Sequence, residues 1–355
     1  MKCENKVGKE FDSIAQRLAY SYMALYSKFV PADIKEVTVE AQKQTHDFLG
    51  GVLCKIYENP AIIGLPLDKD DCFDGEMFKD KPELTKKMKS LEKKFLGFFD
   101  FIYEFGVAGE LRENKLYIAN TKMKPQKSKL ALLEQIGLKS EIIADGVIIY
   151  SDEYPELCSG LKCLSAICEL ADGDMPNRIT KQSTSREMFM RCLFDFNNVS
   201  LDRLYGDFEQ SGPYLKELED YFISKGYGYH NYSGLHKAYP NKQSGSFKVG
   251  FGWKSKNQLG YGIDAPSVRV LIEHFNEMDD ELKDFVFSRT NICNNCGYCA
   301  QIGKKEIVAV KLTHNGETLI KCPYYPGFGW GSLDEKIVSV AKKFCDFYDD
   351  VLFRV

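Results

Sequence analysis

Four cysteines in the last quarter of this 355-residue chain have the type and spacing to do chemistry together. Cys293-Asn294-Asn295-Cys296-Gly297-Tyr298-Cys299 places three thiols within seven residues, and two-residue spacers let successive thiolates turn toward one point, as a metal ion requires. Gly297 follows the second cysteine, where a residue without Cβ can take positive φ and leave backbone N–H groups aimed at the sulfurs. The segment that follows returns a fourth thiol, Cys322. Its centre, Asn315-Gly316, is the strongest short-range signal for a two-residue hairpin turn. Counting outward from that turn pairs His314 with Glu317 and Thr313 with Thr318, over expected strands at 307–313 and 318–322, and ends with Cys322 opposite Ala309.

This cysteine cluster resembles the knuckle of zinc-ribbon and treble-clef modules. Downstream, Ser332-Leu333-Asp334-Glu335 has the form of a capping box, and Ile337, Ala341, Phe344, Tyr348 and Leu352 line one face of an expected terminal helix. The order knuckle, hairpin, helix over 290–355 is similar to that of treble-clef folds. The resemblance implies a structural zinc ion held by Cys293, Cys296, Cys299 and Cys322. It departs from those folds in one respect: they usually take their last two ligands from the start of the helix, whereas Cys322 precedes it by ten residues. C-x-x-C-x-x-C with a later Cys322-Pro323 also resembles the iron–sulfur ligation of bacterial ferredoxins. A hairpin of this length suits a single tetrahedral ion better, so zinc is the expectation, with an iron–sulfur cluster or uncoordinated thiols as alternatives. Four protein thiolates leave no open position to bind and activate water, which gives such a metal a structural role; that conclusion reverses if Cys322 is not a ligand.

The elements that would position this site give an α+β fold class: a helical N-terminal bundle, then mixed helix and strand-pair units ending in the metal-stapled knuckle, hairpin and helix. Apolar residues at three- and four-residue steps predict helices at 11–29, 34–57 and 83–105. A short hairpin is expected around Glu113-Asn114, and Pro125 in a polar basic stretch suggests a boundary, giving domains 1–125 and 126–355. Further helices are expected at 129–136, 155–170, 214–225 and 267–278, with strands at 141–150 turning near Asp145-Gly146 and at 247–253 and 259–263. Thr184 to Glu187 forms a capping box for another helix reaching Phe196. Cys158, Cys163 and Cys168, five apart, share no helix face and read as small core residues. Gly250-Phe251-Gly252-Trp253-Lys254-Ser255 and Gly327-Phe328-Gly329-Trp330-Gly331-Ser332 repeat one string, which raises a duplicated strand–strand–helix unit against convergent aromatic packing.

Composition narrows the functions. A formal charge of −4 provides no global field to attract nucleic acid or an anionic membrane. Residues 79–129 carry a local basic excess, the one feature that favours nucleic acid over the plainer reading of a solvated helix face. No signal-peptide core or membrane-length apolar run occurs, so the expected location is cytoplasmic, with reduced thiols. Asp68 to Gly75 superficially resembles a calcium loop, but Cys72 and Lys81 fall where ligands belong. Phosphate-binding glycine motifs, nucleophile elbows and H-E-x-x-H are absent from the sequence. Aromatic loops supply candidate binding surfaces at Tyr324, Tyr325, Phe328 and Trp330, and at Tyr229 and His230. The expectation is a non-catalytic binding or regulatory protein for a protein or small-molecule partner. An iron–sulfur or thiol oxidoreductase and a nucleic-acid-binding protein are the alternatives.

Overall fold

The computed structural model describes residues 13–24, 26, 28–66, 82–123, 127–174, 188–195, 212–229, 234–240, 243–251, 259–265, 267–293, 299, 303–304, 308–324, 327–330 and 333–354. The chain is α+β, with helices and antiparallel sheets, and divides into two compact units: residues 1–207 with 253–258, and residues 208–252 with 259–355. Among the described residues no helix is long and apolar enough to cross a membrane.

In the first unit, α1 (Ile14–Ala24), α2 (Val39–Glu58), α3 (Pro82–Ala108), α4 (Lys127–Ile136) and α5 (Leu157–Asp174) accompany a four-stranded sheet. That sheet contains β1 (Glu110–Arg112), β2 (Lys115–Ala119), β3 (Lys139–Ile143) and β4 (Gly146–Tyr150) in the order β1-β2-β4-β3. Helix α2 starts later than the periodicity suggests because Thr38 caps it, its hydroxyl accepting from Ala41 N at 2.9 Å. Glu113 and Asn114 both take positive φ, 48° and 57°, which closes the expected β1–β2 hairpin with the twist such turns favour.

The boundary expected at 125 falls inside the first unit. Position 125 lies outside the described residues, but β2 before it pairs with β4 after it, and α5 packs on α2 and α3. Leu116 and Ile149 stand directly opposite one another in the core, so no division can fall between them. Of the three spaced cysteines on α5, Cys158 and Cys168 are buried and Cys163 is half-buried. The Cys158 thiol donates to the Ile149 carbonyl at 3.3 Å, and burial pushes its pKa up to about 12. The capping box at 184–187 and the calcium-like segment 68–75 lie outside the described residues.

The second unit is built on a five-stranded antiparallel sheet, order β11-β8-β7-β6-β5, of β5 (Gly228–Tyr229), β6 (Gly234–Ala238), β7 (Ser244–Phe251), β8 (Leu259–Asp264) and β11 (Gly327–Trp330). Leu235, Phe247, Ile263 and Phe328 lie directly opposite one another across four strands and are buried. This row packs on α6 (Gly212–Ser224), where Phe222 stacks on Phe247 at 4.8 Å, and on α9 (Glu335–Arg354), where Phe344 meets Phe328 edge-on at 5.0 Å. Strand β6 is tied to α9 by a half-buried ion pair: Lys237 Nζ lies 2.8 and 2.9 Å from the Asp349 carboxylate oxygens, among the rings of Tyr227, Tyr239 and Phe353.

Two expected helices are revised. The helix over 267–278 stops early as α7 (Val268–Glu273), followed by a 3-10 turn at Phe275–Glu277, because backbone bending at His274 ends the α-helical ladder. The terminal helix begins at Glu335, capped by Asp334, whose Oδ1 accepts from Ile337 N at 2.8 Å; Ser332 lies outside the described residues.

The two repeated strings flank β8, Gly250 and Phe251 ending β7 and Gly327–Trp330 forming β11. They are out of step. Across Ile263 of β8, Phe328 stands level with Phe247 rather than with Phe251, and β11 leads to a helix where β7 leads to another strand.

Candidate metal centre

The site is built from the end of one helix and the base of one hairpin. Helix α8 (Asp280–Arg289) is set by Asp279, whose carboxylate accepts from Leu282 N at 2.8 Å, with acidic residues in its first turn and Arg289 in its last. Thr290 ends it, donating from its hydroxyl to the Val286 carbonyl at 2.6 Å. Hairpin strands β9 (Val310–His314) and β10 (Glu317–Lys321) follow in the register read from Asn315-Gly316: His314 opposite Glu317, Thr313 opposite Thr318. Asn315 and Gly316 take φ of 47° and 78°, as that turn demands. One hairpin face, with Leu312 and Lys321, is buried. His314 at the turn bonds Asp284 of α8 at 2.6 Å, between the rings of Phe275 and Phe287.

The chain leaving α8 meets the base of β10. Ile292 bridges antiparallel to Lys321, Cys293 N donates to the Ile320 carbonyl at 2.8 Å, and Cys322 N donates to the Asn291 carbonyl at 2.8 Å. Since side chains alternate along extended backbone, Cys293 and Cys322 share the face opposite to that of Ile292 and Lys321. They are diagonal neighbours, a relation with a Cα separation of roughly 7–8 Å. That is at or beyond the ~7 Å limit for a disulfide, and it suits two sulfurs that converge on an ion without touching. The described cysteines form no disulfide.

Cys299 is helical in backbone conformation, and a glycine cap follows it. Lys304 N donates to the Cys299 carbonyl at 2.9 Å, and Gly303 takes φ of 75°. Cys296 and Gly297 lie outside the described residues. Among the described residues no group of three or more Cys, His, Asp or Glu comes together as a metal site, so Cys293 and Cys322 are the pair the fold visibly brings to one face.

The aromatic candidates divide. Phe328 and Trp330 are core residues, not a binding surface: Trp330 stacks on Phe285 of α8 at 5.4 Å, and Phe328 sits between Phe285 and Phe344. Period-two alternation on β11 points both rings to the helix-covered face of the sheet. Tyr324 is half-buried beside the hairpin base, and Tyr229 lies on β5 opposite Leu235. Tyr325 and His230 lie outside the described residues. In the basic segment, Lys86, Lys89, Lys93 and Lys94 are exposed along α3.

One residue of the site was not singled out from sequence. Lys321, immediately before Cys322, is buried, and its ammonium donates to the carbonyls of Phe287 at 2.5 Å and Thr290 at 2.9 Å, capping the end of α8. Desolvation holds its pKa below the ordinary lysine value. The signal was parity: Lys321 shares its strand face with Leu319, opposite Val310, so the hairpin register assigns it to the inner side.

Comparison with known protein families, with characterised proteins and with solved structures finds no match to this chain.

Proposed function

We propose that this chain is a non-catalytic binding or regulatory protein whose second unit is stapled by one structural zinc ion on Cys293, Cys296, Cys299 and Cys322. The observation that carries this reading is the Ile292–Lys321 bridge, which sets Cys293 and Cys322 on one face at diagonal spacing. The donor set supports zinc over harder ions, since thiolates are soft ligands, and a four-thiolate shell leaves no position for water or substrate. In this role the ion ties the end of α8 to the hairpin base and so contributes folding free energy to the second unit.

The test is metal analysis of protein purified without added metal or chelator, with zinc and iron measured per chain beside a visible spectrum. About one zinc per chain and no visible absorbance is expected, with zinc lost in Cys322→Ser. Iron with acid-labile sulfide would replace this reading with an iron–sulfur protein, and the absence of both metals would withdraw it.

A further inference from the structure

Among the described residues, no ion pair balances the charge of Lys321. It is 2% exposed, and its contacts are two carbonyl oxygens and the face of the Phe287 ring at 4.8 Å. Among the described residues no carboxylate forms an ion pair with it; the Glu317 carboxylate, four residues earlier on β10, is exposed and acts on it only from a distance. Buried lysines are rare without a compensating negative charge, because carbonyl dipoles offset only part of the lost hydration. The position of the residue indicates where that charge belongs. Lys321 precedes Cys322, and its bridge partner Ile292 precedes Cys293, so its side chain leaves the backbone between two thiol-bearing residues, on the other face of the same ribbon.

We propose, building on the zinc reading above, that Lys321 is the internal counter-ion and positioning residue of the metal centre. Four thiolates on a zinc ion leave two net negative charges, and the buried ammonium offsets part of that charge across a single layer of backbone. Lys321 thus has two tasks. Its hydrogen bonds hold the end of α8 against β10, which fixes the bridge and the Cys293–Cys322 pair, and its charge favours the loaded, anionic centre over the metal-free thiols. Groups of this kind, which support ligands without touching the metal, typically change affinity by roughly 10- to 100-fold.

The test uses the full chain. Zinc affinity is measured by competition with a chromophoric chelator, and cobalt(II)-loaded protein reports the thiolate-to-metal charge-transfer band. In Lys321→Met, zinc should bind roughly 10- to 100-fold more weakly, and the cobalt band should move to longer wavelength, because thiolate electrons lose a neighbouring cation. Lys321→Arg, which keeps the charge, should restore the band position. Ile292→Glu covers the case in which Lys321→Met does not fold. Ile292 is 59% exposed and opposite Lys321, so a carboxylate there is tolerated, partners the ammonium and should weaken zinc binding about tenfold relative to Ile292→Gln. Equal zinc affinity and an unshifted band across these variants would leave Lys321 as a helix cap alone and overturn the proposal. Wild-type protein that takes up neither zinc nor cobalt would instead overturn the metal reading beneath it, before any variant is made.

Discussion

One substitution, glycine to alanine, should change sign among four helical glycines of the first unit. On α5, a Cβ built at Gly160 would stand 2.5 Å from the Ala41 carbonyl oxygen of α2 and closer still to Thr45 Oγ1. On α3, one at Gly106 would stand 2.6 Å from the Leu161 carbonyl oxygen of α5, with Ser165 Oγ nearer again. At Gly51 of α2 and Gly97 of α3, by contrast, no heavy atom of the described residues lies within 4 Å of such a Cβ. Where space is open, alanine stabilises a helix by about 0.5–1 kcal/mol through lower unfolded-state entropy. At the two crossings the same gain is offset by overpacking of about 1–3 kcal/mol. The upper end applies here, because a backbone carbonyl cannot swing aside as a side chain can. Gly51→Ala and Gly97→Ala should therefore raise the urea midpoint, while Gly106→Ala and Gly160→Ala lower stability by about 1–2 kcal/mol net, with an unchanged m-value. Far-UV circular dichroism along a urea series measures all four. Gly160→Ala matching Gly97→Ala in sign and size would refute the close crossing of α2 and α5.

Asp279→Ala should lower stability at neutral pH by about 1 kcal/mol, since it removes the cap of α8 and an exposed ion pair with Lys343 that solvent largely screens. The Leu282 N–H, then Lys343, holds the Asp279 pKa below its ordinary value of 3.8. Its contribution is thus complete above that value and disappears as pH falls through the lowered pKa, so thermal melts of variant and wild type should converge in acid; a constant gap would count against the linkage. Lys237→Met should cost about 1–3 kcal/mol by leaving the half-buried Asp349 carboxylate with the Tyr239 hydroxyl, at 3.0 Å, as its one remaining donor among the described residues. The double variant Lys237→Met/Asp349→Leu should recover part of that loss in urea denaturation, and a single-variant effect below about 1 kcal/mol would show that the pair is not desolvated.

The parts of the fold that sequence reading recovered are those governed by local chemistry. Asn315-Gly316 must take positive φ at both positions, so the turn fixes the strand register, and the register alone pairs Thr313 with Thr318. Glu113-Asn114 acts in the same way at β1–β2, and the stripe of Ala341, Phe344, Tyr348 and Leu352 marks the buried face of α9. Helix α8 was missed because only Leu282, Val286 and Phe287 are buried on it, too few for a periodic stripe. Its signals were electrostatic: Asp279 as cap, Asp280 and Glu281 in the first turn, Arg289 in the last. The boundary at 125 failed for a different reason. Proline and charge mark a break in local structure, but membership of a unit is decided by long-range pairing, here β2 with β4, which no window of sequence contains.

The candidate site separates the same two kinds of information. Cysteine spacing nominates candidate ligands because coordination chemistry restricts which residues can serve and how close in sequence they can stand. Spacing cannot tell whether the aromatic residues after Cys322 face outward. Phe328 and Trp330 are committed to the core by α8, an element far from them in sequence, and by the inner face of α9. Nor does spacing reveal Lys321, whose importance appears only when its burial is set against its partners. A lysine buried on carbonyl oxygens is a helix cap with an excess of charge, which the proposed anionic centre on the other side of the ribbon would offset. Zinc on the four cysteines would provide that centre. The proposed role of Lys321 therefore stands on the cysteine pattern, and metal analysis of the wild-type protein decides both together.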